Sequence, residues 1–304
     1  MDRHVVTLVE NLHAHQPIRV WSLVITVFGD LIVPRGRKVW LGTILALMDE
    51  LGITANAVRA AMSRLTADGW LNRDRIGRNS YYELAAARER EFTNAFHRIY
   101  AMSAPDWSQK WRISVLTSPD QRVRDDLRAN LRAKGYGSVS GGVFFRPDRV
   151  DDIDPNIDTD GIINFDATSL GDVDRMRELV RTAWELEDIA AALVGVIDNF
   201  QPLSDAMDAG LSLSPMDSLI ARLLLIHQFR RVALQDPLLP KELMDADWPG
   251  ETARALSSKL YRQLLVDSEI WLDRNAKSPD GSLPPPDADF YRRFEGLAEL
   301  TDVS

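Results

Sequence analysis

Residues 51–84 constrain this chain most, because five local signals follow one another there in a single workable order. The stretch opens Leu51-Gly52-Ile53-Thr54, runs on to Asp68, stops at Gly69 and closes with two short runs, 70–76 and 80–84, around Gly77-Arg78-Asn79. Thr54 can cap a helix, since its hydroxyl accepts from a free amide two or three residues on. Val58, Met62 and Leu65 then fall at i, i+4 and i+7, the apolar stripe of a short amphipathic helix. Gly69 suits the helix end, and the glycine turn between the last two runs predicts a hairpin. Upstream, Leu23, Val24, Val27, Phe28 and Leu31 repeat at helical spacing until Pro34-Arg35-Gly36 breaks the run. Trp40, Ile44, Leu47 and Met48 form a second helical stripe ending near Gly52. Three helices followed by a hairpin is the order of a winged helix-turn-helix, in which the third helix is the reader.

The polar face of that third helix has the chemistry of a DNA reader. Asn56, Arg59, Ala60, Ser63 and Arg64 lie on or beside it. Arginine grips guanine with two donors, asparagine pairs with adenine, and a small residue such as Ala60 permits close approach. Arg75, Arg78 and Asn79 flank the tip of the hairpin, where a loop reaches backbone phosphate or the minor groove. A solvated helix with ordinary surface arginines would share this composition; the flanking helices and hairpin favour the DNA reading.

A net charge of −9 argues against a DNA binder until it is divided along the chain. Residues 20–90 hold ten Arg/Lys and seven Asp/Glu, and residues 1–19 balance, so residues 91–304 carry −12. That asymmetry suggests a DNA-facing module on an acidic body. The absence of cysteine excludes disulfides, thiolate metal sites and a cysteine nucleophile. No apolar run approaches the roughly 20 residues of a membrane span, and no signal-peptide core opens the chain. A soluble cytoplasmic protein is expected.

The remaining segments give an α+β, multidomain organisation. Residues 1–19 read as a disordered or loosely packed tail, in which His4, His13 and His15 make only a weak metal signal. The winged helix module spans 20–103, with an amphipathic connecting helix over 85–102. Strands at 111–116, 142–146 and 161–165, with helices at 122–134 and 173–186, predict a ferredoxin-like α/β sandwich over 104–186. Within it, Asn156-x-Asp158-x-Asp160-Gly161 imitates a calcium loop, but the twelfth position is Ala167 where a bidentate glutamate is required. An acidic turn without metal is the expectation. Residues 187–304 read as a helical domain with a proline-rich break at 284–286. No nucleophile elbow or P-loop occurs, and 111–118 holds no carboxylate for a metal-dependent nuclease. A nuclease and an acyl-CoA-processing enzyme remain the alternatives to a DNA-binding regulator.

At these residues the chain resembles the phenylacetic acid degradation repressors, the PaaX family. Ser22-Leu23-Val24-Ile25-Thr26-Val27-Phe28-Gly29-Asp30, Val33-Pro34-Arg35-Gly36 and Val39-Trp40-Leu41-Gly42 match its opening. Asp68-Gly69-Trp70-Leu71 and Gly77-Arg78-x-Ser80-Tyr81-Tyr82 continue the match. The C-terminal signature is Arg222 through Arg231, then Asp236-Pro237-x-Leu239-Pro240 and Asp247-Trp248-Pro249-Gly250. The chain departs from the family pattern at Phe28, where tyrosine is expected, and at Gln228-Phe229, where Glu-Tyr is common. The resemblance implies a homodimeric repressor on an inverted-repeat, double-stranded operator, with no cofactor. It also implies release by an acyl-CoA effector such as phenylacetyl-CoA. Such an effector needs arginines beside apolar walls, so Arg222, His227, Arg230, Arg231 and Trp248 are the candidate effector residues.

Overall fold

The computed structural model describes residues 1–14, 17–104, 106–149, 160–169 and 172–297. The chain forms two compact units, one of residues 1–102, 195–231 and 252–304, the other of residues 103–194 and 232–251. One division follows the helix that ends at Tyr100, and the other three fall inside long helices.

The first unit begins with α1 (Arg3–Ala14), a correction to the expected loose tail. Val5 and Leu8, three apart on one face, are buried. Asn11 Nδ2 donates to Asn199 Oδ1 at 2.6 Å, and His13 Nε2 lies 2.8 Å from the Leu51 carbonyl. His15 lies outside the described residues.

Next come α2 (Val20–Val27), a π turn over Phe28–Ile32 and a 3₁₀ turn over Val33–Arg35. The predicted break therefore occurs where proline was read. Gly36 follows at φ +83°, a conformation that glycine tolerates, and a Cβ there would collide with the Pro284 ring. The short strand β1 (Lys38–Trp40) precedes α3 (Leu41–Glu50), so Trp40 belongs to a strand and not to the predicted helical stripe. Ile44, Leu47 and Met48 do form that stripe and are buried.

Helix α4 (Ala55–Ala67) and the hairpin β2 (Leu71–Ile76) and β3 (Asn79–Leu84) complete the module. β3 is central in an antiparallel sheet of order β1-β3-β2, with Val39 opposite Tyr82 and Arg75 opposite Ser80. After it, α5 (Glu89–Tyr100) buries Ile99 and Tyr100.

The second unit contains β4 (Trp107–Leu116), α6 (Gln121–Ala133), β5 (Gly137–Ser140), β6 (Val143–Arg149), β7 (Ile162–Thr168) and α7 (Val173–Ala183). Its four strands run antiparallel in the order β5-β6-β4-β7. Sequence reading missed β5, because Gly137-Ser138-Val139-Ser140 sits among glycines and has the composition of a turn. The strand alternation sends Phe144 and Phe145 to opposite faces. Phe144 packs with Leu131 and Tyr136, whereas Phe145 joins Trp111, Val180, Trp184, Leu239, Leu243 and Met244. The Trp111, Phe145 and Trp184 rings meet edge to face at 5.8 and 5.3 Å, a favourable aromatic geometry. The imitation calcium loop lies mostly outside the described residues; Asp160 and Gly161 form a turn into β7.

The last helices are α8 (Leu186–Asp208), α9 (Pro215–Ala233) and α10 (Gly250–Asn275). A two-residue hairpin, β8 (Lys277–Ser278) and β9 (Gly281–Ser282), and a turn over Phe290–Glu295 follow. The segment after the proline-rich break is a buried plug in the first unit, with Phe290, Arg293, Phe294 and Leu297 inaccessible. Among the described residues no helix is long and apolar enough to cross a membrane.

Candidate nucleic-acid interface

Helix α4 is seated by Val58, Ala61, Met62 and Leu65, all buried, and its N-terminus is capped as expected, Thr54 Oγ1 accepting from the Ala57 amide at 3.4 Å. Those anchors leave Asn56, Arg59, Ala60, Ser63 and Arg64 exposed on the other side. Arg59 has no ion-pair or hydrogen-bond partner among the described residues, so its fork of donors is available. Arg64 is steadied: its guanidinium sits 5.9 Å from the Trp21 ring centroid and its Nε lies 3.5 Å from Asp68. A cation over an indole face is attracted by the ring quadrupole.

The hairpin presents Arg75, Arg78 and Asn79 to solvent. Ile76 pairs with Asn79, so the loop is the two residues Gly77-Arg78, with Gly77 at φ +61°. A two-residue loop with glycine first and positive φ there alone fits the natural twist of a hairpin. Charge on the hairpin is sorted by β1. Lys38 Nζ contacts Asp74 at 2.6 Å and Glu83 at 3.0 Å, and hydrogen bonds to those two carboxylates raise the lysine pKa. Lys38 offsets one of these two carboxylate charges, and the exposed Arg75 and Arg78 outweigh the other. Arg73 also belongs to this surface, donating to Ser80 Oγ at 2.9 Å and lying over Tyr82. Sequence reading passed over Arg73 and Trp21, although the strand alternation and the helical spacing were both legible.

The candidate effector residues do not come together as one set. Arg222 is fully buried: Nε donates to Asp30 Oδ2 at 2.9 Å, Nη1 to Glu269 Oε1 at 2.6 Å and to Ser268 Oγ at 3.0 Å, and Nη2 to the Asp30 carbonyl. Each nitrogen of its guanidinium is thus engaged within the protein. Trp248 belongs to the other unit, where it packs against the Trp111 cluster. His227 and Arg230, three apart on α9, do converge, both on the Thr26 hydroxyl of α2, while Arg231 is exposed. The family departures are packing features: Gln228 bridges Asn199 and the Gly195 carbonyl, and Phe229 lies under Arg254.

The cluster that claims Arg222 was invisible in the sequence. Asp30, inside the π turn, also accepts from Arg293 Nη1 at 2.8 Å and from the Tyr100 and Tyr261 hydroxyls at 2.7 and 3.0 Å. Arg293 and Arg222 donate as well to the Gly29 and Asp30 carbonyls of that turn. Burial alone would raise the Asp30 pKa, but Arg222, Arg293 and the two hydroxyls outweigh it and hold the carboxyl below its usual range. Both buried arginines are correspondingly driven upward by their partners, against desolvation. Arg35 adds a parallel clip, ion-paired with Glu269 and Asp273 and donating to the Pro284 carbonyl.

In the second unit, Asp148 and Asp166 flank Arg112 at 3.0 and 3.8 Å, a charge-neutralising arrangement. Among the described residues no three His, Asp or Glu side chains are placed to hold a metal ion.

Three family models cover successive parts of the chain: PaaX-like protein over residues 19–88, PaaX protein central Cas2-like domain over 104–164, and PaaX-like protein C-terminal domain over 184–274. The transcriptional repressor PaaX of Escherichia coli (strain K12) is 31% identical over 299 residues, spanning 96% of this chain and 95% of that protein. The chain belongs to the PaaX family. The uncharacterized protein Rv0674 from Mycobacterium tuberculosis shares the fold at a TM-score of 0.55 and 21% identity, covering 82% of this chain and 97% of that one. Within this PaaX-family chain, the first matched segment contains α4 and the hairpin, and the last contains Arg222, His227 and Arg230.

Proposed function

We propose that the chain is a transcriptional repressor whose N-terminal module is a winged helix-turn-helix, with α4 entering the major groove and the β2–β3 hairpin as the wing. The observation that carries this reading is the unpaired Arg59 between Asn56 and Ser63 on an exposed helix face, beside a hairpin whose Asp74 and Glu83 both ion-pair with Lys38. Asn56 and Arg59 read base edges; Ser63, Arg64, Arg75, Arg78 and Asn79 hold the backbone. The second unit is a ferredoxin-like body, and two copies of the chain meet an inverted-repeat operator in the cytoplasm. An acyl-CoA of the phenylacetyl type releases the operator through residues that include His227, Arg230 and Arg231. The relative named as a repressor, and the match to all three family models, support this reading.

A mobility shift on the protein's own upstream DNA, with a panel of acyl-CoAs, tests it. Tight binding that one thioester abolishes is expected. Half-sites should lie about one helical turn apart, roughly 34–36 Å, or a multiple of it. Inserting five base pairs between them turns one half-site by about half a turn and should abolish tight binding. Binding unaffected by that insertion would point to a monomer, and no shift on upstream DNA would contradict the repressor reading itself.

A further inference from the structure

Arg35, Arg222 and Arg293, buried inside the first unit, each pair with a carboxylate; Arg230 has a different environment. Its Nε donates to Thr26 Oγ1 at 2.7 Å, and its Nη2 donates to the Ser22 carbonyl at 2.7 Å and to Ser22 Oγ at 2.6 Å. All three acceptors are uncharged, and all belong to α2. Thr26 also bonds the Ser22 carbonyl at 3.0 Å and lies 2.9 Å from His227 Nδ1. A hydroxyl with one proton satisfies this set when it donates to Ser22 and accepts from Arg230 and from an Nδ1–H of His227. His227 is then neutral, as its position demands: desolvation first, then Arg230 and Arg231, push its pKa down to about 3.

No carboxylate pairs with Arg230 or with Arg231 among the described residues, and Nη1 of Arg230 makes no hydrogen bond there. Desolvation, followed by the adjacent Arg231 charge, lowers the Arg230 pKa to about 10. The carbonyls at the end of α9 offset part of this charge, but a helix terminus supplies only about half an elementary charge. A half-buried guanidinium held along one edge by neutral groups, with its other nitrogen open and a second cation beside it, lacks a counterion. A structural clip to α2 would require only the two bonded nitrogens.

We propose that Arg230 and Arg231 form a site for a phosphate-class oxyanion, and that its occupation is transmitted through α2 to the reader helix α4. Two uncompensated positive charges match a phosphate dianion better than a single carboxylate. Nη2 carries two hydrogens and both of its acceptors belong to Ser22, so an anion gripped fork-on by Nη1 and Nη2 competes for one of those two bonds. Ser22 is the neighbour of Trp21, whose ring lies under Arg64 on the face of α4, and α2 packs directly on α4. One turn of α2 therefore touches the anion site and the DNA-reading helix together. The transmission half of the proposal rests on the repressor reading above; the anion site does not.

The anion site is tested on the full chain, without DNA, by calorimetry with inorganic pyrophosphate, coenzyme A and phenylacetate. The first two should bind and the carboxylate should not. Arg230→Gln should lose about tenfold or more in affinity for both phosphate probes, the expected cost of a charge-assisted contact. Arg231→Gln, an exposed change that leaves folding intact, should lose roughly two- to fivefold. Phosphate binding unchanged in both variants, or phenylacetate binding alone, would overturn the site. Transmission is read as the ratio of DNA dissociation constants with and without phenylacetyl-CoA. Thr26→Val should keep pyrophosphate binding yet bring that ratio towards one. A wild-type ratio in Thr26→Val overturns the transmission, whereas wild-type protein that binds no DNA overturns the repressor reading and leaves the calorimetry to decide the site.

Discussion

Arg59 and Arg222 are the same side chain in opposite settings. Arg59 projects from an exposed helix face with nothing bound to its donors, while Arg222 is wholly enclosed and every nitrogen is bonded. The first is kept free by its neighbours: Lys38 takes up the nearby carboxylates, and the buried stripe of α4 turns the polar face outward. The second is bound by residues from two distant parts of the chain, Asp30 on one side and Tyr261, Ser268 and Glu269 of α10 on the other. An arginine available for recognition and one used in construction therefore differ in whether carboxylates reach them, and local sequence says little about that. Substitutions at the two should consequently separate stability from DNA affinity.

The largest effect is expected at Asp30. Asp30→Ala leaves Arg222 and Arg293 buried together without their shared counterion, and stability should fall by about 3–5 kcal/mol or more. Chemical denaturation measures this. A loss below about 1 kcal/mol would mean that the cluster is not the buried ionic centre of the first unit.

Acid should act through His227. Its folded pKa is depressed to about 3 and its ordinary value is 6.5, so between those pH values the unfolded chain binds the extra proton. Stability is then complete above about pH 6.5 and declines as pH falls towards 3, by about 2 kcal/mol between pH 7 and pH 5. His227→Gln removes that dependence, whatever its effect on stability at pH 7. An equal pH slope in the variant would show that His227 is not the group responsible. Asp30, whose pKa is lowered, contributes at the far end: its share is lost only as pH falls through its depressed folded value.

At the exposed end of the comparison, Arg78→Ala at the hairpin tip should weaken binding to all DNA sequences alike. It should also lower the slope of affinity against salt by about one counterion. A sequence-dependent loss would move Arg78 from backbone contact to base readout. No change in denaturation midpoint is expected, because the residue is exposed and its turn depends on Gly77.

The contrast also explains what was legible in the sequence. Elements whose signals are local were readable: the Thr54 cap, the Val58-Met62-Leu65 stripe, the Gly69 stop and the Gly77 turn all stand where the residues placed them. The α+β organisation and the family followed from motifs of the same kind. Errors arose where distant chain decides the outcome. Residues 3–14 form a docked helix because Asn199 and Leu51 receive Asn11 and His13. Trp40 is drawn into a strand by pairing with Tyr81. Arg222 had the spacing of a ligand residue, but Asp30, 192 positions away, occupies it. Trp248 shares a motif with Arg222 in the sequence, and the fold assigns it to the other unit.

The central claim is that the α4 face reads DNA through Arg59, an arginine that does no structural work. Parallel titration of wild type, Arg59→Ala and Arg222→Ala with the protein's own upstream DNA and with random DNA, alongside their melting temperatures, tests it most directly. Arg59→Ala should lose about 1–3 kcal/mol on the upstream site, relax preference at one base position and melt as wild type does. Arg222→Ala should melt markedly lower. Equal losses on both DNAs for Arg59→Ala, or a melting temperature that falls with its affinity, would contradict the account.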